Sequence, residues 1–233
     1  MKPAISIITP TLRPAGLVMV DECLRRQTTS DFEWLISMPE RLHGSLKIER
    51  PNVTILCDPE PNPGDFYSLN KAWNQMIAKA KADLLVFIVD WVWFPKDSLE
   101  ILLEWHQKAP NLGVSGRGDH YRSIVKGKPE VVWEYDNRPG PEIHPHMMEL
   151  AFASLPKADV LAVGGFHERF DQGAGMSEKD LCVRMAEQRG NAFIIDDRLA
   201  YRNWTHPKEW KPGEWDAAAE KARILYQAAR MKS

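Results

Sequence analysis

Two hydrophobic patterns alternate along the first half of the chain. One is a short, nearly continuous apolar run. The other is a longer segment with apolar residues every three or four positions. Residues 4–8 are an isoleucine-rich run that stops at Thr9-Pro10-Thr11, which predicts a buried strand followed by a loop. Residues 33–37 and 53–57 predict two further strands, and residues 84–89, the most apolar run, predict a fourth that ends at Asp90. Between them, residues 14–27 predict a helix with Val18 and Leu24 on its apolar face. Residues 67–80 predict another, with Leu69, Ala72, Trp73, Met76 and Ile77 at helical spacing. A third, over residues 95–108, has a proline where a helix tolerates one best, at its start. Residues 58–64 hold three prolines and a glycine and predict a loop.

Strand–helix alternation with apolar strands predicts an α/β fold with a mostly parallel sheet covered by helices on both faces. Such sheets bind ligands outside the carboxyl ends of their strands. The informative stretches are therefore residues 9–13, 38–41, 58–65 and 90–94. The second half is less regular. It predicts strands at 113–118 and 131–135, a polar loop at 137–145, a short strand at 151–154 and a short helix at 157–163. A helix at 177–189 stopped by Gly190, a strand at 192–195 and a final helix at 214–231 complete the reading. It is read as one domain over 1–233 made of two halves, about 1–112 and about 113–233.

With 233 residues, 44% of them hydrophobic, the chain can bury a sizeable core. A formal net charge of −2 provides no global field toward nucleic acid or an anionic membrane. Cys23, Cys57 and Cys182 form no metal-ligand pair and are expected to be small buried side chains with reduced thiols, which favours a cytoplasmic protein. The first apolar run is too short to predict a signal peptide or a transmembrane segment. A dinucleotide-binding oxidoreductase would need a glycine-rich turn after the first strand, and residues 9–14 contain no glycine.

The ordered motifs point elsewhere. Ile5-Ser6-Ile7-Ile8-Thr9-Pro10-Thr11 is followed by Gln27-Thr28, Asp31-Phe32-Glu33 and Asn62-Pro63-Gly64. Then come Leu69-Asn70-Lys71-Ala72-Trp73-Asn74 and Phe87-Ile88-Val89-Asp90. Gly164-Gly165-Phe166-His167-Glu168-Arg169-Phe170 and Ser177-Glu178-Lys179-Asp180-Leu181 with Arg184 close the series. In order and spacing this series resembles family 2 glycosyltransferases over nearly the whole chain to about His206. The resemblance implies a GT-A-type, Rossmann-like domain and an inverting transfer of sugar from a nucleotide-sugar to an acceptor hydroxyl.

Each site residue follows from that resemblance. The family holds Mn²⁺ or Mg²⁺ with a D-x-D motif after the fourth strand. Here Asp90-Trp91-Val92-Trp93 keeps one carboxylate, and His206 is the expected second ligand. His144 and His146 are weaker candidates. Glu178 falls on the position of the acceptor-deprotonating base. Asp180 is the neighbouring acid, and Arg184 lies one turn beyond it as its partner. Thr9, Pro10, Thr11 and Arg13 are expected at the nucleotide, with Glu40 substituting for a missing acidic pair after the second strand. Trp91 and Trp93 offer aromatic faces beside the donor, and Gly164 and Gly165 allow close approach of an acceptor. The donor is expected to be a UDP-sugar, and the acceptor a glycan, a lipid-linked glycan or a modified DNA base. Because the metal motif is incomplete, the other reading is a non-catalytic nucleotide- or sugar-binding relative.

Overall fold

The computed structural model describes residues 2–125, 128–134, 142–204, 211 and 213–231. In chain order the elements are β1 (Ile5–Pro10), α1 (Leu17–Arg25), β2 (Phe32–Met38), β3 (Val53–Cys57), α2 (Leu69–Lys79), β4 (Leu84–Ile88), β5 (Val92–Trp93) and α3 (Ser98–Lys108). There follow β6 (Leu112–Val125), β7 (Lys128–Glu134), β8 (Phe152–Pro156), α4 (Lys157–Ala162), α5 (Ser177–Arg189), β9 (Ala192–Trp204) and α6 (Glu214–Arg230). One sheet runs through both halves of the chain in the order β3-β2-β1-β4-β8-β6-β9-β5, with β7 paired to β6. β1, β2, β3, β4, β6 and β9 run one way, and β5, β7 and β8 run against them.

The pleat explains why β4 is apolar throughout. Leu84, Val86 and Ile88 pack into one core with Leu17, Val20, Leu24, Leu99 and Leu102 of α1 and α3. Leu85 and Phe87 face the opposite core, with Trp73, Met76, Ile77, Val160, Leu181 and Met185 of α2, α4 and α5. A strand with a helix layer on each face has no polar side. The expected sheet covered on both faces is therefore present.

Several local expectations need correction. The first helix opens as a 3₁₀ turn at Pro14–Gly16 before α1. Val18 is 61% exposed, and the buried face of α1 is Leu17, Val20, Cys23 and Leu24. Cys23 and Cys182 are buried, but Cys57 is exposed, because β3 is an edge strand. The expected strand at 192–195 continues to Trp204. β9 pairs with β6 in two stretches, and the register slips between Gly116, opposite Asp196, and Gly118, opposite Tyr201, so that residues 197–200 bulge out. The charges of Asp196, Asp197 and Arg198 hid the second stretch from a hydrophobicity reading. A Cβ at Gly116 would lie 1.9 Å from the Leu199 carbonyl oxygen, so the bulge closes only over glycine. Most of the expected 137–145 loop lies outside the described residues. Among the described residues, no helix is long and apolar enough to cross a membrane.

Candidate functional site

The carboxyl ends of β1, β3 and β4 open onto a cavity of about 340 Å³. Pro10, Thr11 and Arg13 line it after β1, Asp58 after β3, and Val89 and Asp90 after β4. Tyr67, Glu149, Leu150, Gly175, Ser177 and Glu178 also line it, together with the exposed Trp215. The volume is in the range of small-molecule sites.

Asp90 is 2% exposed. Its Oδ1 accepts from Arg13 Nη2 at 2.8 Å, and its Oδ2 accepts from Arg13 Nε at 3.1 Å and from the Thr11 hydroxyl at 2.6 Å. The Thr11 oxygen in turn accepts the Arg13 backbone N–H at 2.8 Å, which fixes the arginine at both ends. Thr9 is fully buried, and its hydroxyl takes the Trp34 indole N–H at 3.0 Å. It supports the wall without lining it.

Glu178 opens α5. The turn before it is tight: Gly175 and Met176 both have positive φ, 75° and 66°. Asp171 anchors this stretch. Its carboxylate accepts from the backbone N–H groups of Asn70 and Lys71 at the start of α2, and its carbonyl accepts from Phe66 and Tyr67. Burial pushes Asp171 up to about 6 against those bonds. Burial, and then the charge of Glu149, push Glu178 up to about 8, with Lys179 opposing. Burial also lifts Asp58 to about 6, against a hydrogen bond from the Ser37 hydroxyl and the nearby His43.

Among the described residues, two non-glycine residues have positive φ, Trp91 at 60° and Met176 at 66°. One follows Asp90 directly and the other stands two residues before Glu178. Backbone strain of this kind persists only where the surroundings over-determine it, and it clusters at functional sites.

Other expected site residues lie elsewhere. Glu40 is exposed, in a 3₁₀ turn, and does not line the cavity. Trp91 and Trp93 leave the cavity as well. They line a separate groove with Ala15, Val18, Met19, Glu22 and Arg26 of the α1 side. The left-handed turn at Trp91 reverses its side chain, and a Cβ at Gly16 would come within 2.4 Å of its ring. Asp180 does not line the cavity either. Arg184 Nε donates to it at 2.9 Å, and His167 Nδ1 lies 3.0 Å away. Burial would raise Asp180, but the His167 hydrogen bond and the Arg184 charge outweigh it and hold the carboxyl below its ordinary value. Arg184 also donates to the carbonyls of Val163 and Gly165. Gly164 and Gly165, at φ 82° and 69°, form the turn after α4 that this arginine clamps. These three residues tie α4 to α5 and do not line the cavity. His144 and His146 flank a short turn beside Tyr226, whose ring centroid is 5.3 Å from that of His146. His206 lies outside the described residues.

The solved structures include a match to this architecture in S. aureus TarS, residues 1–349, in complex with UDP. The TM-score is 0.61 over 89% of this chain, at 14% sequence identity. The fold is of the GT-A, Rossmann-like type. At this identity the GT-A likeness is one of architecture. The chain also spans only 61% of the length of the TarS chain it matches. No protein-family model and no curated protein matches the sequence.

A divalent cation of the kind the GT-A resemblance implies fits the described residues poorly. Both oxygens of Asp90 are engaged. The position two residues on is Val92, fully buried and strand-paired with Asn203. Among the described residues no group of three or more His, Cys, Asp or Glu is placed to hold a metal ion.

Asp58, inside the informative stretch 58–65, and Ser177, inside a quoted motif, were given no role by sequence reasoning, and Tyr67, Glu149 and Trp215 were not singled out. Asp58 had a signal, because it is the first residue after a parallel strand. Glu149 and Trp215 had none. Trp215 reaches the cavity because α6 packs against residues 173–174, where the Ala174 N–H donates to the Ala218 carbonyl at 2.9 Å.

Proposed function

We propose that the protein is a nucleotide-sugar-dependent glycosyltransferase that inverts the anomeric centre in a single displacement. The observation that carries this reading is the placement of Arg13-bound Asp90 and Glu178 on one cavity at the carboxyl ends of the parallel strands. The donor diphosphate lies against Thr11, Arg13 and Asp90. The base lies toward Pro10 and Asp58, where a buried carboxyl reads a ring N–H or amino group, in the place first expected of Glu40. A UDP-sugar is the donor of choice, by analogy with the UDP complex of TarS. An acceptor hydroxyl enters past Tyr67 and Trp215, and its oxygen attacks the anomeric carbon. The bond from that carbon to the diphosphate oxygen breaks, the electron pair leaves with the nucleoside diphosphate, and the hydroxyl proton passes to Glu178.

Two steps test this. A thermal-shift screen of nucleotide-sugars identifies the donor, because a ligand that binds only the folded state raises its stability by mass action. Release of nucleoside diphosphate is then followed in Glu178→Gln, which keeps shape but cannot take a proton. Turnover falls by about 10²–10⁴-fold with donor affinity almost unchanged. Wild-type turnover in that variant removes Glu178 as the base. Donor binding without turnover in the wild type favours the non-catalytic relative.

A further inference from the structure

The cavity carries four acidic side chains, Asp58, Asp90, Glu149 and Glu178, and among its described lining residues Arg13 is the only cationic one. A diphosphate cannot settle there without a positive charge beside it. We propose that the Arg13 guanidinium, held on Asp90, takes the place of a divalent cation at the donor diphosphate, so that donor binding needs no metal. This rests on the nucleotide-sugar reading above.

The local geometry supports the replacement in three ways. First, both oxygens of Asp90 are already engaged: one accepts from Arg13 Nη2, the other from Arg13 Nε and Thr11. A metal on Asp90 would have to displace a two-point, partly buried guanidinium–carboxylate pair, the strongest common form of ion pair. Second, the residue that would supply a second carboxylate is Val92, at 0% exposure inside the β5–β9 pairing, and Trp91 between them is turned to the other side of the sheet. Third, the charges balance. Two carboxylates with a divalent cation sum to zero, as do one carboxylate and one guanidinium. Loss of the second acid and replacement of a double charge by a single one leave the site electrically equivalent. The arginine is also pre-organised, because its backbone N–H is pinned to Thr11 and its planar fork to Asp90.

Isothermal titration with UDP, GDP, ADP, CDP and dTDP tests this, each run once with EDTA and once with Mn²⁺. For the diphosphate that binds best, the wild type shows the same affinity in both. Asp90→Asn weakens binding in EDTA, because the fork loses the carboxylate that orients it, but leaves binding independent of metal, because the cation remains. Arg13→Met loses roughly tenfold or more, the worth of a charge-assisted contact. Because Arg13→Met strands a buried carboxylate, the double variant Arg13→Met/Asp90→Asn repeats that arm without the stranded charge and loses affinity as well. Binding that appears only with Mn²⁺, or that is indifferent to the loss of Arg13 in EDTA, overturns the inference and leaves the nucleotide-sugar reading in place. If none of the five binds in any arm, that reading fails and this inference with it.

Discussion

Replacing Glu149 by Gln removes one carboxylate charge from the cavity wall and changes little else in shape. Its effect is transmitted through Glu178. In the wild type that carboxyl is lifted from 4.5 to about 8, by burial first and by the Glu149 charge second. A base raised this far is mostly protonated at neutral pH, so turnover climbs with pH up to about 8. With Glu149 neutral only burial still holds the proton on, and the acid limb of the profile moves to lower pH. At pH 6 turnover should rise by roughly 3–10-fold, while at pH 9, where Glu178 is ionised in both proteins, the rates should agree. The limb belongs to the pair of carboxyls, so the shift is read from the whole kcat profile and not from one pH. Stability moves in a defined direction too. The folded state holds the Glu178 proton between 4.5 and about 8 while the unfolded chain has lost it, so stability falls as pH rises through that window and is flat above it. Urea melts at pH 5 and pH 8 should show a smaller loss in Glu149→Gln than in the wild type. An unmoved acid limb together with an unchanged pH dependence of stability would refute the coupling of these two acids.

Two further substitutions probe the frame around the site. Arg184→Met leaves the 3%-exposed Asp180 with only His167 and the more distant Arg169 as partners and frees the carbonyls of Val163 and Gly165, and should cost about 1–3 kcal/mol in denaturant melts. In the same variant, nucleotide affinity below the melting range should stay near the wild-type value, and a selective loss of donor binding would place Arg184 at the ligand after all. Gly16→Ala puts a methyl group 2.4 Å from the Trp91 ring and should destabilise by about 1–3 kcal/mol. A wild-type melting curve and unchanged tryptophan fluorescence would mean that the Trp91 turn is not packed as described.

Much of the first half was legible because it obeys one rule at a time. β1 and β4 are apolar on both faces, since helices cover both, and that reads directly from the chain. α2 showed itself by helical spacing, and Gly190, at φ 69°, marks the end of α5 where a left-handed residue is required. The strand-end rule located Pro10, Thr11, Arg13 and Asp90 at the cavity without any coordinates. It failed for Glu40, Trp91 and Trp93, which also follow strands, because it gives the neighbourhood of a residue but not the direction of its side chain. At Trp91 a left-handed backbone turn sends the ring to the opposite side. β5 escaped because two residues carry no periodicity, and the second part of β9 because charged residues interrupt its pattern.

Local sequence was sufficient where a residue acts through its own element, by the apolar faces of strands and helices, the proline at a helix start and the glycine at a helix end. It even paired Asp180 with Arg184, since a spacing of four residues puts them on one helix face. The roles inside the cavity depend on residues far apart in the chain. Arg13 meets Asp90 across 77 positions, and Glu149 raises Glu178 from a separate element. The proton affinity of a carboxyl is set by the solvent it has lost and the charges around it. Both of these come into being only when β1, β4, the approach to β8 and α5 close on one volume. The amino acids thus determined which groups could carry chemistry. Folding decided which carboxyl faces an arginine and which faces another carboxyl.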